Sequence, residues 1–430
     1  MKIKSLWSFK ILSLGTLIIM VGAGLAYSLL DPTAVNYEYQ LPLLPADVEN
    51  AQTEKSLKIK LEENPKNALA AAELANFYLK QARRSGNKTD FAEAEKYSAL
   101  SLSAGWNSHA RIVQAQLLES RHDFEIAIEA CLEVLAKAPQ NRQAQQILVV
   151  SYLALGKIDE ADKISEILVR QQPLVAALSL RALVLIARGR YAEAEFEFNK
   201  CLSIEDLGEL NESARFRALW ARHKLNRGQW RHAELLLQET LRISPEMPLA
   251  LDLLGQLRAQ QGRWKEAEAL LHRAFARSKE SVYLRHLAEM DFARGNIDAG
   301  VARLDQAELL YSADLATDSF EHNLDLSRIL LLRAKAGDHQ RALTLATSEI
   351  SKRQSSDAYF VLARSLYSLG KLDPALIAIQ SALSTGQKDP AFYFLAAEIY
   401  ASLKNQSRAN FFTELTLQTN PKFNAKLSFK

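Results

Sequence analysis

Small and apolar residues recur along this chain at helical spacing, inside segments that themselves repeat. The stretch Arg227-Gly-Gln-Trp-Arg-His-Ala-Glu-Leu-Leu returns as Gln261-Gly-Arg-Trp-Lys-Glu-Ala-Glu-Ala-Leu. Gly228 thereby pairs with Gly262, Trp230 with Trp264 and Ala233 with Ala267, each 34 residues apart. The small position recurs as Ala94, Ala127, Ala161, Ala194, Ala233, Ala267, Gly300, Ala342, Ala375 and Ala409. Steps of 33 or 34 dominate, with 39 before Ala233 and 42 before Ala342. Ahead of seven of these ten positions comes a glycine, at Gly156, Gly189, Gly228, Gly262, Gly295, Gly337 and Gly370. Glycine reaches positive φ without a Cβ clash, so it predicts a tight turn between two helices. Bulky residues then follow, at Ile158, Tyr191, Trp230, Trp264, Ile297 and Leu372, and are expected to plug each helix pair. Prolines at Pro139, Pro173, Pro245 and Pro421 predict the ends of second helices.

A helix–turn–helix unit at this period resembles the tetratricopeptide repeat family. The resemblance spans residues 65–423 and fits ten units. The first is irregular, with residues 83–89 between its helices, and the last replaces the glycine with Lys404-Asn405. It implies an all-α fold, a right-handed superhelical solenoid in which each unit packs on its neighbours. The first helix of each unit would line a concave groove where partner peptides bind. The Asn and Lys pattern with which some relatives clamp a chaperone's C-terminal carboxylate does not line up, so that role is not carried over. Residues 205–212 and 311–322 exceed the period and read as lengthened connections between units, either tolerated insertions or partner loops.

The N-terminus follows a different pattern. Lys2, Lys4 and Lys10 precede an uncharged run over residues 11–30. Twenty residues of helix rise about 30 Å, the hydrocarbon thickness of a bilayer. Residues 1–30 are therefore expected to be a transmembrane anchor. Gly24-Leu25-Ala26 would alternatively serve as the cleavage site of a signal peptide. The lysines before the run, with Asp31, Glu38, Asp47 and Glu49 after it, predict a bacterial inner-membrane protein with its repeats in the periplasm. Cleavage would instead leave a soluble periplasmic or secreted body. Residues 31–64 form a tether broken by Pro32, Pro42 and Pro45, with a capping helix near its end. The repeat solenoid then occupies residues 65–430.

Composition and charge remove several classes of function. The chain is 48% hydrophobic and 24% charged, too apolar for disorder. A net charge of +3 argues for no nucleic-acid partner. Cys131 and Cys201 fall two repeats apart on inward positions, too distant for a disulfide, and read as small buried hydrophobes. No phosphate-binding loop, nucleophile elbow or close Cys–His pair occurs, and no histidine spacing suits a metal. His286 and Glu289 read as a solvated pair. The expectation is a non-catalytic protein without cofactor or metal.

What remains is the groove. Residues at i, i+4 and i+7 share one stripe of a helix. The third and fourth units offer Val150, Leu153, Leu183 and Ile186, an apolar lining expected to pack on itself. Later units offer Arg285, Glu289 and Phe292, then Phe360, Arg364 and Tyr367, then Phe394 and Glu398, with Arg328 nearby. Arginine beside aromatic rings is the composition of binding hot spots. This late cluster is the expected site for a protein or peptide partner, in a scaffold that serves as an envelope assembly factor. Stacked aromatics would instead suit direct contact with glycan in a polysaccharide-export module.

Overall fold

The structure, a computed structural model, describes Tyr37, Gln40 and residues 51–85, 88–206, 208, 210–315 and 323–427. The chain divides into Met1–Tyr39 and Gln40–Lys430, and the helices below belong to the second unit. Helix α1 (Ala51–Glu63) comes first, and ten helix pairs follow among the described residues. They are α2 (Ala68–Ser85) with α3 (Lys88–Ser103), α4 (Ser108–Ser120) with α5 (Phe124–Lys137), and α6 (Arg142–Leu155) with α7 (Ile158–Gln171). Next come α8 (Val175–Ala187) with α9 (Tyr191–Ile204), α10 (Leu210–Asn226) with α11 (Trp230–Ile243), and α12 (Pro248–Gln260) with α13 (Trp264–Ser278). Then follow α14 (Ser281–Ala293) with α15 (Ile297–Leu315), and α16 (Asn323–Arg333) with α17 (Asp338–Lys352). The last are α18 (Ser356–Ser368) with α19 (Leu372–Ser384), and α20 (Pro390–Ser402) with α21 (Gln406–Thr419).

Local chemistry sets these boundaries. Side chains of Asn107, Asn141, Ser355, Asp389 and Asn405 accept N–H bonds from the first turns of α4, α6, α18, α20 and α21. Such a cap satisfies a donor that the helix cannot. The seven turn glycines all adopt positive φ, between 68° and 85°. In the second and tenth units His122 and Lys404 take that conformation instead. Every alanine of the small series is buried. At the one glycine of the series, Gly300, a Cβ would come within 2.6 Å of the Phe292 ring. The bulky residues after the turns are only half-buried, and Ile297 is 56% exposed, so they flank the pairs rather than plug them. Helix α1 does act as a cap: Leu57 is buried, and Tyr78 Oη donates to Glu54 at 2.6 Å.

Several expectations change. Residues 1–30, expected as an anchor or signal segment, lie outside the described residues. Among the described residues no helix is long and apolar enough to cross a membrane. The longest, α15, has 19 residues and carries Asp298, Arg303, Asp305 and Glu308. Its length alone would nearly suffice, at about 28 Å, but such charges are costly in hydrocarbon. The expected inner-membrane placement with periplasmic repeats is thereby contradicted. The long connections are also partly built into the fold. Tyr311 belongs to α15 and is buried, and Glu205 pairs with Arg217 at 2.6 Å with both side chains almost fully enclosed. Cys131 and Cys201 are free, buried thiols, as expected.

The layering defines an inside. Each first helix packs on the first helix of the next unit in an unbroken row from α2 through α4, α6 and onward to α20. The second helices make no such row. Tight spacing on one side and splay on the other curve the array, with the first helices lining the concave face. The curvature is strong enough for distant units to meet. The Gly156 turn of the third unit meets Gln354, between the eighth and ninth units. The Gly189 turn of the fourth meets Gly386, between the ninth and tenth, and the Gly228 turn of the fifth meets Asn420. Tyr191 Oη donates to the Lys388 carbonyl at 2.5 Å and accepts from the Lys388 N–H at 3.0 Å. The Lys422 ammonium sits 4.4 Å from the Trp230 ring centroid. The concave face is therefore an enclosed channel with a seam along it.

Candidate binding channel

The channel is lined by side chains that the first helices turn inward. In its early part, α2, α4, α6, α8 and α10 together bound a cavity of about 120 Å³. Arg83, Gln116, Glu119, Gln143, Gln146, Ser179, Glu212 and Arg215 supply its polar wall. Ile147, Val150, Leu180 and Leu219 supply the apolar remainder. On α6 the lining residues Gln143, Gln146 and Val150 are spaced i, i+3 and i+7, which is one face of a helix.

The charges here are unanswered. Arg83, Arg215 and Arg222 make no ion pair or hydrogen bond among the described residues. All three are exposed to water. Burial nevertheless lowers the pKa of Arg83, against the opposing pull of Glu119, and lowers that of Arg222, with Arg215 adding repulsion. Water thus reaches them inside walls that exclude bulk solvent. Glu119 carries the complementary signal. Its Oε1 is buried without a partner, and burial pushes its carboxyl up to about 7 although Arg83 and Arg215 pull it down.

The late part holds the expected site residues, and most are already used. Arg285 and Glu289 are both buried and pair with each other. His286 is buried too, with Nδ1 2.6 Å from Asp252, so His286 and Glu289 are not the solvated pair expected. Arg328 pairs with Asp325 at 3.1 Å and with Asp357 at 2.5 Å. Phe292 faces Gly300 of its own unit rather than the channel. Phe360 is buried in a stack on Phe392 with centroids 5.0 Å apart. Phe394 packs 5.4 Å from Phe423, and Tyr367 Oη lies 3.3 Å from Ser402 Oγ. Arg364 alone of the expected arginines has no partner within the described residues; burial lowers its pKa, opposed by Glu289 and Glu398. Burial raises the Glu398 carboxyl in turn.

A short turn packs against the late first helices. The turn Ala425–Leu427 packs on α12 and α14, Leu427 is buried, and Gln260 Nε2 donates to its carbonyl at 2.5 Å. A cavity of about 50 Å³ lies beside Trp230, Gln256, Lys422 and Phe423.

Sequence reasoning missed Arg83, Glu119, Arg215 and Arg222. Arg215, Leu219 and Arg222 do follow the i, i+4, i+7 spacing that singled out Arg285, Glu289 and Phe292. The excess residues before α10 hid that helix's register. Val150, Leu153, Leu183 and Ile186 are half-buried, and Val150 reaches the cavity. Among the described residues no group of three or more candidate ligands could hold a metal ion.

An enclosed row of helix pairs around an inner channel is the architecture of an α-solenoid, a class that binds other molecules along its concave face. The tetratricopeptide repeat family model matches residues 148–200, 219–281 and 328–391, and the chain carries these repeats. A human IFIT1 dimer with PPP-AAAA aligns at 16% identity and a TM-score of 0.50, covering 86% of this chain and 87% of that one. The human IFIT1 dimer with m7Gppp-AAAA aligns at 15% identity and a TM-score of 0.51, covering 85% of each. Yeast Tom70 aligns at 14% identity and a TM-score of 0.42, covering 84% of each. The IFIT1 likenesses establish the fold. Comparison with curated proteins gives no match.

Proposed function

We propose that this protein is a non-catalytic interaction scaffold that holds a segment of a partner protein in its inner channel. The observation that carries this reading is a set of guanidinium groups on first helices, Arg83, Arg215, Arg222 and Arg364, that make no ion pair or hydrogen bond among the described residues, with Arg83 and Arg215 lining the early cavity. A guanidinium that water reaches but no carboxylate answers keeps its planar fork of donors open, and a bound anion can take a charge-assisted, bidentate pair there. Tetratricopeptide scaffolds generally bind protein partners, and a solenoid's concave face offers the length to hold an extended segment. Such holding would suit a factor that brings components of an assembly together.

Photocrosslinking tests the reading. A photoreactive residue at Leu219 or Val150 should trap a discrete partner in cells, while one at Ile377, exposed on the second helix of the ninth unit, should not. Equal trapping at both would move the interaction to the outer face.

A further inference from the structure

We propose that the early cavity is a recognition subsite for an acidic side chain of an extended peptide, its carboxylate held by Arg83 and Arg215. The inference rests on the channel reading above and specifies its ligand. Three features of the cavity select the ligand class.

The first is charge. Arg83 and Arg215 face Glu119 and Glu212 across the same cavity. Glu119 has its Oε1 buried without a partner and its carboxyl raised to about 7, and once it is protonated two cations face one acid; that leaves room for one added negative group, not for the dense charge of a nucleic-acid strand. The second is the neutral polar wall. Gln116, Gln143, Gln146 and Ser179 offer both donors and acceptors, which match the amide groups of a peptide backbone. The third is the apolar wall of Ile147, Val150, Leu180 and Leu219, which suits an apolar neighbour of the acidic residue. The cavity lining contains no aromatic ring on which a base could stack.

Glu119 is the internal competitor. As an anion it offsets the field of the two guanidinium groups and repels the incoming carboxylate. Protonated, it does neither and its hydroxyl becomes a donor. The charged and titratable groups around it are Arg83 from α2, Arg215 and Glu212 from α10, and the Cys131 thiol from α5, which burial and Glu119 together push up to about 12. The thiol keeps its proton through neutral pH, whereas Glu119 changes there. Occupancy by an acidic peptide should therefore rise as pH falls through about 7.

The test uses the full chain and a labelled peptide of alternating leucine and glutamate, with the glutamine counterpart and an oligoadenylate RNA of equal contour length as comparisons. The glutamate peptide should bind about tenfold tighter than the glutamine one. Arg83→Ala with Arg215→Ala should erase that margin while the circular-dichroism melt stays in place. Glu119→Gln, which keeps the volume, should bind well and lose the pH dependence. Equal binding of the two peptides, or tighter binding of the RNA, would overturn the proposal. Channel crosslinks that persist in the double-arginine variant would also overturn it, yet leave the scaffold reading standing. Absence of channel crosslinks in the unaltered chain would instead remove the scaffold reading itself.

Discussion

The early and late parts of the channel are lined by equivalent helices and both present arginines, but they do opposite things with them. In the late part Arg285 meets Glu289, Arg328 meets Asp325 and Asp357, and the turn Ala425–Leu427 occupies the wall of α12 and α14. In the early part Arg83, Arg215 and Arg222 make no ion pair among the described residues, and a cavity of about 120 Å³ stays open in front of two of them. A guanidinium on a concave face points to a ligand only where the fold has not supplied its counter-ion. Paired arginines specify the fold, and unpaired ones leave an interaction for something else to complete.

The sharpest way to break this contrast is to delete one arginine of each kind. Arg285→Ala removes the guanidinium that pairs with the buried Glu289 carboxylate, and should lower unfolding stability by about 3–5 kcal/mol. Arg222→Ala removes no such partner and should shift it by less than about 0.5 kcal/mol. Urea titration of both variants measures the difference. Equal losses would mean that Arg222 has a structural role.

The seam that closes the channel gives a second contrast. Gly156 and Gly262 have nearly the same φ, 77° and 74°, so alanine at either incurs the same left-handed strain, about 1–2 kcal/mol. Only at Gly156 would the new Cβ also meet the Gln354 carbonyl oxygen, at 2.5 Å, whereas Gly262 has open space. Gly156→Ala should therefore cost about 1–3 kcal/mol more than Gly262→Ala in thermal unfolding. It should also raise protease access to the channel. Matching costs would show that the two turns of the superhelix are not held together.

For binding, Arg364→Ala should weaken partner affinity by about 1–3 kcal/mol if that arginine is a hot spot, with little change in folding. Arg364→Lys should recover only part, because lysine lacks the planar fork. Calorimetry with the crosslinked partner reads both. Arg328→Ala, which removes a paired arginine, should act on folding first.

The smallest effect is a pH slope. Burial raises the Glu119 carboxyl from 4.5 to about 7, so the folded chain binds that proton more tightly than the unfolded chain. Its contribution to stability is complete below about 4.5 and is lost as pH rises to about 7. Glu119→Gln should flatten that segment of the stability–pH curve. An unchanged curve would place Glu119 in bulk-like water.

Most of the scaffold was legible before any coordinates. The small residues from Ala94 to Ala409 marked each second helix because close helix packing admits nothing larger, and the structure buries all nine alanines. The turn glycines announced themselves because only a residue without Cβ adopts that φ freely. The candidate site was less legible. Phe292 was assigned to the channel by its spacing from Arg285 and Glu289, although its ring faces Gly300 of the second helix of its own unit. Arg285 and Glu289 were read as two binding residues, although four residues apart on one helix they could equally satisfy each other.

The sequence by itself determined the repeating helix pairs, their number and their turns, because those depend on steric limits acting within about one unit. Only the tertiary structure decided which cations were free. Ion pairing is settled between helices far apart in sequence, as with Arg328 and Asp357, and by a superhelical curvature that brings Gly156 to Gln354 and Tyr191 to Lys388. That curvature sums small rotations over many units, so no single stretch of the chain encodes it.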